Sequence, residues 1–282
     1  MRFPERLAAF ALALCVGTPA WTAPPDGVRN EMAATLRERM PQLAPQEYVL
    51  GAAALDADLR RAVEENAAAS APTVAAGQAL WTRKFKNGRT LSGCFPNGGR
   101  RVAAAYPQFD PRLKRVITLE MAINQCLKAH GEPLFEHGDP ATMGAVMAYL
   151  RSLSNGQKVA VRVPPAAEER FEQGRRLYVS RLGQRNYACA SCHVRGAGKR
   201  YEDTPISPAI GQATHWPVIR NGQAITLQER MRECLELMGA APFPAGSEEL
   251  NNLEYFLTYL SNGLPMAANP WRPAGALSAS RP

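Results

Sequence analysis

The sequence lacks the apolar length that a membrane span requires, about 20 consecutive residues. Its most apolar run, Leu7 to Val16, is too short for that role. It follows Arg2, Glu5 and Arg6 and precedes small residues, so residues 1–23 read as an export signal with Ala20 and Ala23 as candidate cleavage ends. The expected mature chain has no membrane span and resides in a bacterial periplasm, where disulfides and covalent haem attachment are both possible. The chain also lacks a glycine-rich phosphate loop, a zinc finger and any basic–aromatic repeat. Its basic excess, 33 Lys+Arg against 25 Asp+Glu, therefore points to an acidic partner or an anionic substrate and away from nucleic acid. Strong strand alternation is absent as well, which leaves an all-α fold.

Cysteine is scarce. The six are Cys15, Cys94, Cys126, Cys189, Cys192 and Cys234, and Cys15 leaves with the signal. Five remain, an odd number for an oxidising compartment, so at least one has a task other than disulfide pairing. Cys189-Ala190-Ser191-Cys192-His193 has the spacing that attaches haem c: both sulfurs form thioethers and the histidine binds iron. A bare Cys-x-x-Cys also suits a reductase dithiol or half a zinc site. The chain offers no βαβ setting for the first and no second ligand pair for the second.

The chain repeats itself. Ile117-Thr118-Leu119 through Cys126-Leu127 matches Ile225-Thr226-Leu227 through Cys234-Leu235. Tyr149 to Gly156 matches Phe256 to Gly263, and Gly77-Gln78-Ala79-Leu80-Trp81 matches Gly174-Arg175-Arg176-Leu177-Tyr178. Two tandem copies of one helical domain follow, of the cytochrome c type. The haem motif stands only in the second; its counterpart is Leu91-Ser92-Gly93-Cys94-Phe95, without the first cysteine or the histidine. One haem is therefore expected. Cys94 and Cys126 are expected to bond across the space a haem would fill, the alternative being two free buried thiols.

The expected organisation is a helical N-terminal extension over 24–74, with helices near Glu31–Met40 and Asp56–Glu65. A haem-less copy over 75–157 and a haem-bearing copy over 158–268 follow, joined through Gln157 to Pro165, and then an irregular tail over 269–282. In the second copy, Thr226-Leu227-Gln228-Glu229 is a capping box opening the helix of Cys234. A last helix starts near Ser247, with Leu250, Leu253, Phe256, Leu257 and Leu260 at helical spacing.

Cys234 lies four residues after Arg230, so the two share a helix face. A guanidinium fork suits an oxyanion, and a thiolate on iron is a strong donor that lowers the haem potential. The first copy has Ala122 where the second has Arg230, so the arginine is missing where the haem motif is missing. Met238, Met266 and His215 compete with Cys234 as the second iron ligand, and a buried structural thiol remains an alternative. His130 and His137 read as surface residues. Lys199 and Arg200 suit either a charged haem mouth or a solvated loop.

Tandem cytochrome c copies, a haem motif in the second, and the helix Gln228-Glu229-Arg230-Met231-Arg232-Glu233-Cys234 together resemble the SoxA family, over roughly residues 75–268. The eroded first motif resembles that family's single-haem branch. The resemblance implies an L-cysteine S-thiosulfotransferase that joins thiosulfate to a cysteine of a SoxYZ-type carrier. It implies a SoxX-type cytochrome c partner subunit and a soluble cytochrome c acceptor. It also implies haem attachment at Cys189 and Cys192, iron ligation by His193 and Cys234, catalysis by Cys234 (often as a persulfide), and substrate binding by Arg230. A thiosulfate dehydrogenase making tetrathionate, or a non-catalytic electron carrier, are the competing readings.

Overall fold

A computed structural model of the chain describes residues 24–201, 203–267 and 269–273. The export signal lies outside the described residues, as does the tail beyond Pro273. The helices are α1 (Pro25–Arg39), α2 (Ala57–Glu65), α3 (Ala71–Thr82), α4 (Leu119–Ala129), α5 (Ala145–Ser152), α6 (Glu168–Val179), α7 (Cys189–His193), α8 (Leu227–Leu237) and α9 (Glu248–Leu260). Three antiparallel hairpins interrupt them: β1 (Gln108–Asp110) with β2 (Arg115–Ile117), β3 (Arg200–Tyr201) with β4 (Thr204–Pro205), and β5 (Val218–Arg220) with β6 (Gln223–Ile225). Strands of two or three residues are too short to leave an alternation in sequence, and the helical expectation otherwise stands.

The repeat is visible in the packing. In the first copy α3 crosses α5 at Gly77, where a Cβ would lie 1.9 Å from the Ala145 carbonyl oxygen. In the second, α6 crosses α9 at Gly174, where a Cβ would lie 2.0 Å from the Asn252 carbonyl oxygen. Only a residue without a side chain permits backbones to approach so closely. Each hairpin β1–β2 and β5–β6 follows a cis proline, Tyr106-Pro107 or Trp216-Pro217. Each then runs into a helix capped by threonine: Thr118 Oγ1 accepts from Met121 N, and Thr226 Oγ1 from Glu229 N, both at 3.3 Å. The capping box is only half made, because the Glu229 carboxylate turns to Arg232 at 2.9 Å.

The first copy has filled the space between its helices. Phe95, which replaces the histidine, packs its ring 5.1 Å from Trp81, and Leu91 is fully buried. Cys94 and Cys126 are disulfide-bonded, with Cα atoms 6.0 Å apart.

The second copy is enclosed on several sides. In α9 every residue from Leu250 to Leu260 is buried, including Asn251, Asn252 and Glu254. An amphipathic stripe was expected there. Burial is complete because α6 covers one side while the α4 end covers another, where Asn251 Nδ2 reaches Met121 Sδ. At the α9 C-terminus, Arg29 of α1 donates to the Leu260 and Asn262 carbonyls, complementing the helix dipole. The stretch after α5 is extended: Val159 N donates to Leu264 O, and Gly263 N to Val159 O, each 2.9 Å. The tail is likewise pinned at its start, with Ile219 N donating to Pro270 O and Arg272 N to Ile219 O.

Candidate haem and sulfur site

The haem motif folds as the single short turn α7. Ala188 N donates to Ser191 Oγ at 3.0 Å and Ser191 N to Ala188 O at 2.8 Å, which fixes the turn's entry. His193 is held from behind: the Ser207 carbonyl, which only accepts, lies 2.9 Å from Nδ1, so Nδ1–H donates to it. That bond sets the tautomer and leaves Nε2 with a free lone pair, the form in which histidine binds a metal. Burial, reinforced by the Arg230 charge and partly offset by the Ser207 carbonyl, lowers the His193 pKa to about 4, so the ring is neutral at pH 7.

Cys189, Cys192 and His193 line a cavity of about 480 Å³. Cys234, Arg230, Met231 and Met238 enter it from α8 and Tyr178 from α6. This volume lies in the usual range for cofactor pockets, roughly 300–1,000 Å³. Cys189, Cys192 and Cys234 are free of disulfides. Burial pushes the Cys189 thiol up to about 12, with Cys234 adding to it, and burial raises Cys192 as well. A reductase dithiol needs the opposite, a thiol brought down toward neutrality. Buried polar atoms facing the cavity lack partners: the Tyr178 hydroxyl and His215 Nδ1 have none among the described residues. Buried polar groups without a partner are rare, and a group bound in the cavity would account for these two. Two cysteine sulfurs at thioether spacing, a metal-ready imidazole and a cofactor-sized, largely apolar cavity together fit haem c.

Arg230 and Cys234 share one face of α8, and Cys234, followed by Glu233, raises the Arg230 pKa against the lowering by burial. The Glu233 carboxylate bridges two guanidiniums, Arg230 at 2.9 Å and Arg220 at 2.7 Å. Neither Arg220 nor Glu233 was anticipated, because a charge on a three-residue strand and one inside a charged helix carry no pattern of their own. Ser207 was missed as well, because it sits in irregular chain.

The other sequence candidates separate. Met266 Sδ accepts from Arg151 Nη1 at 3.1 Å and does not line the cavity. Met238 and His215 do line it. Arg200 pairs with Asp56 at 3.0 Å, and neither it nor Lys199 lines the cavity. His130 stacks on Phe85 at 5.3 Å, and His137 packs against Gly246 of the second copy.

Comparison with known proteins agrees with this geometry. The family model described as "SoxA/TsdA, cytochrome c domain" matches residues 76–159 and 173–266, one segment in each copy. A relative from Chlorobaculum tepidum, named L-cysteine S-thiosulfotransferase subunit SoxA, is 42% identical over 81% of this chain and 81% of its own. One of the same name from Allochromatium vinosum is 37% identical over 88% of this chain and 90% of its own. The crystal structure of SoxXA from P. pantotrophus matches with a TM-score of 0.69 at 23% identity, covering 77% of this chain and 84% of that one. At that identity the likeness speaks for the fold.

Proposed function

This chain belongs to the SoxA family, and from that premise we propose that it is the haem-bearing catalytic subunit of an L-cysteine S-thiosulfotransferase. The observation that carries the reading is one shared cavity. It brings Arg230 and Cys234 of α8 together with Cys189, Cys192 and His193 of α7.

In this reading Cys189 and Cys192 would attach one haem c, and His193 and Cys234 are the residues that would bind its iron. Haem c supplies a one-electron sink beside the reacting sulfur. The haem-bearing copy spans 158–268 and the haem-less copy 75–157. The overall reaction joins thiosulfate to a carrier cysteine through a new sulfur–sulfur bond, releasing one proton and two electrons. The electrons pass to a SoxX-type cytochrome c subunit and on to a soluble cytochrome c. The carrier is of the SoxYZ type, and the setting is the periplasm after signal removal.

The chain's own residues account for three requirements. Arg230 provides a fixed positive fork for an incoming sulfur oxyanion, strongest in a cavity shielded from water. Glu233 holds that fork in place and shares itself with Arg220, so the pair of guanidiniums keeps a net positive charge. Ser207 orients His193. No helix among the described residues is long and apolar enough to cross a membrane.

The test is turnover of thiosulfate by the exported protein with a SoxX-type partner and a SoxYZ-type carrier. Arg230→Ala should raise the KM for thiosulfate while leaving the haem spectrum unchanged. Tetrathionate formed without the carrier would favour the dehydrogenase reading instead.

A further inference from the structure

One wall of the haem cavity carries positive charge that no carboxylate pairs with among the described residues. His215 is 7% exposed, lines the cavity, and its Nδ1 has no partner among the described residues. Arg272 lines the same cavity from the pinned start of the tail. Its Nη1 donates to the Asn269 and Trp271 carbonyls at 3.0 and 2.7 Å, and its Nε and Nη2 have no partner among the described residues. Behind His215 lies Arg151, 5% exposed, whose guanidinium meets the Thr214 and Ala267 carbonyls and Met266 Sδ, and no carboxylate among the described residues. No carboxylate pairs with either arginine among the described residues. Burial lowers Arg272 to about 10 and Arg151 to about 9, and each of the two cations also acts on His215.

Arg151 is buried and Arg272 half-buried, and a guanidinium taken out of water without a counter-charge is unfavourable. Arg272 depresses Arg151, and both depress His215, so an anion among them is favoured. The structure maintains this arrangement at some effort: Asn269 Nδ2 donates to Val63 O, and the tail pairs with Ile219 to carry Arg272 inward. The first copy, which has no haem motif, has Ala105 before its matching cis proline where the second has His215.

We propose that Arg272 and His215 form the seat of the haem carboxylates, so that the tail completes the cofactor site. The inference rests on the haem assignment above. Arg272, whose Nε and Nη2 have no partner among the described residues, and His215, through Nδ1, are the residues that would hold a haem propionate. The tail segment 269–273 is then part of the haem domain.

The experiment uses the full-length exported protein with its haem attached. Haem content by pyridine haemochrome is measured first; absence of haem would overturn the functional reading itself and is distinct from failure here. Arg272→Leu removes a cation near the iron, which favours the ferric state. The ferric/ferrous equilibrium should move about tenfold, a fall of about 59 mV for a one-electron couple. The haem-propionate bending band in the resonance Raman spectrum should shift with it. Arg272→Lys, which keeps the charge, should restore most of the potential. Haem at full occupancy, with potential and propionate band both unchanged in Arg272→Leu, would overturn the proposal. So would an unchanged potential with only a raised KM for thiosulfate, which would make Arg272 a substrate contact.

Discussion

Replacing Gly174 by alanine should destabilise the protein, although alanine is the better helix former by about 1 kcal/mol. Gly174 lies within α6, and the added Cβ would lie 2.0 Å from the Asn252 carbonyl oxygen and 2.9 Å from Phe256 Cβ. Ordinary contact begins near 3.4 Å, so α6 and α9 must separate by more than an ångström. The obstacle is backbone and cannot rotate away. Separation would loosen Phe171 and Tyr178 of α6 from Phe256, whose rings now stand 5.2 and 5.3 Å away. Overpacking of this kind costs about 1–3 kcal/mol or more. Taken at the upper end of that range and set against the propensity gain, the net loss is about 2 kcal/mol, a Tm lower by roughly 4–8 °C for a chain of this size. Thermal unfolding followed by circular dichroism on the haem-loaded protein measures it. Gly93→Ala is the control: nothing lies within 4 Å of its Cβ position, and its Tm should stay close to the parent's. A Gly174→Ala protein as stable as the parent would refute the close-crossing argument.

Glu120 and Glu254 are both buried between the copies, and burial raises both pKa values, with Glu120 acting further on Glu254. Their contribution to stability is present below the ordinary carboxyl range and is lost as pH rises through the raised folded values. Glu254→Gln keeps the acceptor for Gln228 and removes the titration, so it should gain about 1–3 kcal/mol at pH 8 and almost nothing at pH 4. Denaturant melts at the two pH values check this; an equal effect at both would contradict it. Removing the Cys94–Cys126 bond, with the two residues 32 apart in sequence, by a Cys94→Ser/Cys126→Ser pair should cost about 3–4 kcal/mol on chain entropy. The haem absorbance should be unaffected, because that bond lies in the copy without the haem motif.

Much of this was legible in sequence because it is local or repeated. The haem motif is five consecutive residues, the Arg230–Cys234 pairing is one helical turn, and Gly77 and Gly174 stand at matching places in two copies. What sequence did not disclose depends on chain segments meeting from far apart. The Glu233 bridge needs β5 to bring Arg220 beside α8, and the His193 tautomer needs the Ser207 carbonyl fourteen residues away. Arg272 sits in a Pro- and Ala-rich tail that reads as irregular, and only backbone pairing with Ile219 carries it to the cavity. Complete burial of α9 was hidden too, since its buried Glu254 and Asn251 look like a solvated face until α4 is packed against them.

Electron paramagnetic resonance of the ferric protein, parent against Cys234→Ala, tests the haem–sulfur site most directly. The parent should show the low-spin signal of an iron ligated by histidine and cysteine sulfur, and Cys234→Ala should lose that signal together with thiosulfate turnover. An unchanged signal with unchanged turnover would contradict the assignment of Cys234 as ligand and catalytic residue, and leave an electron carrier.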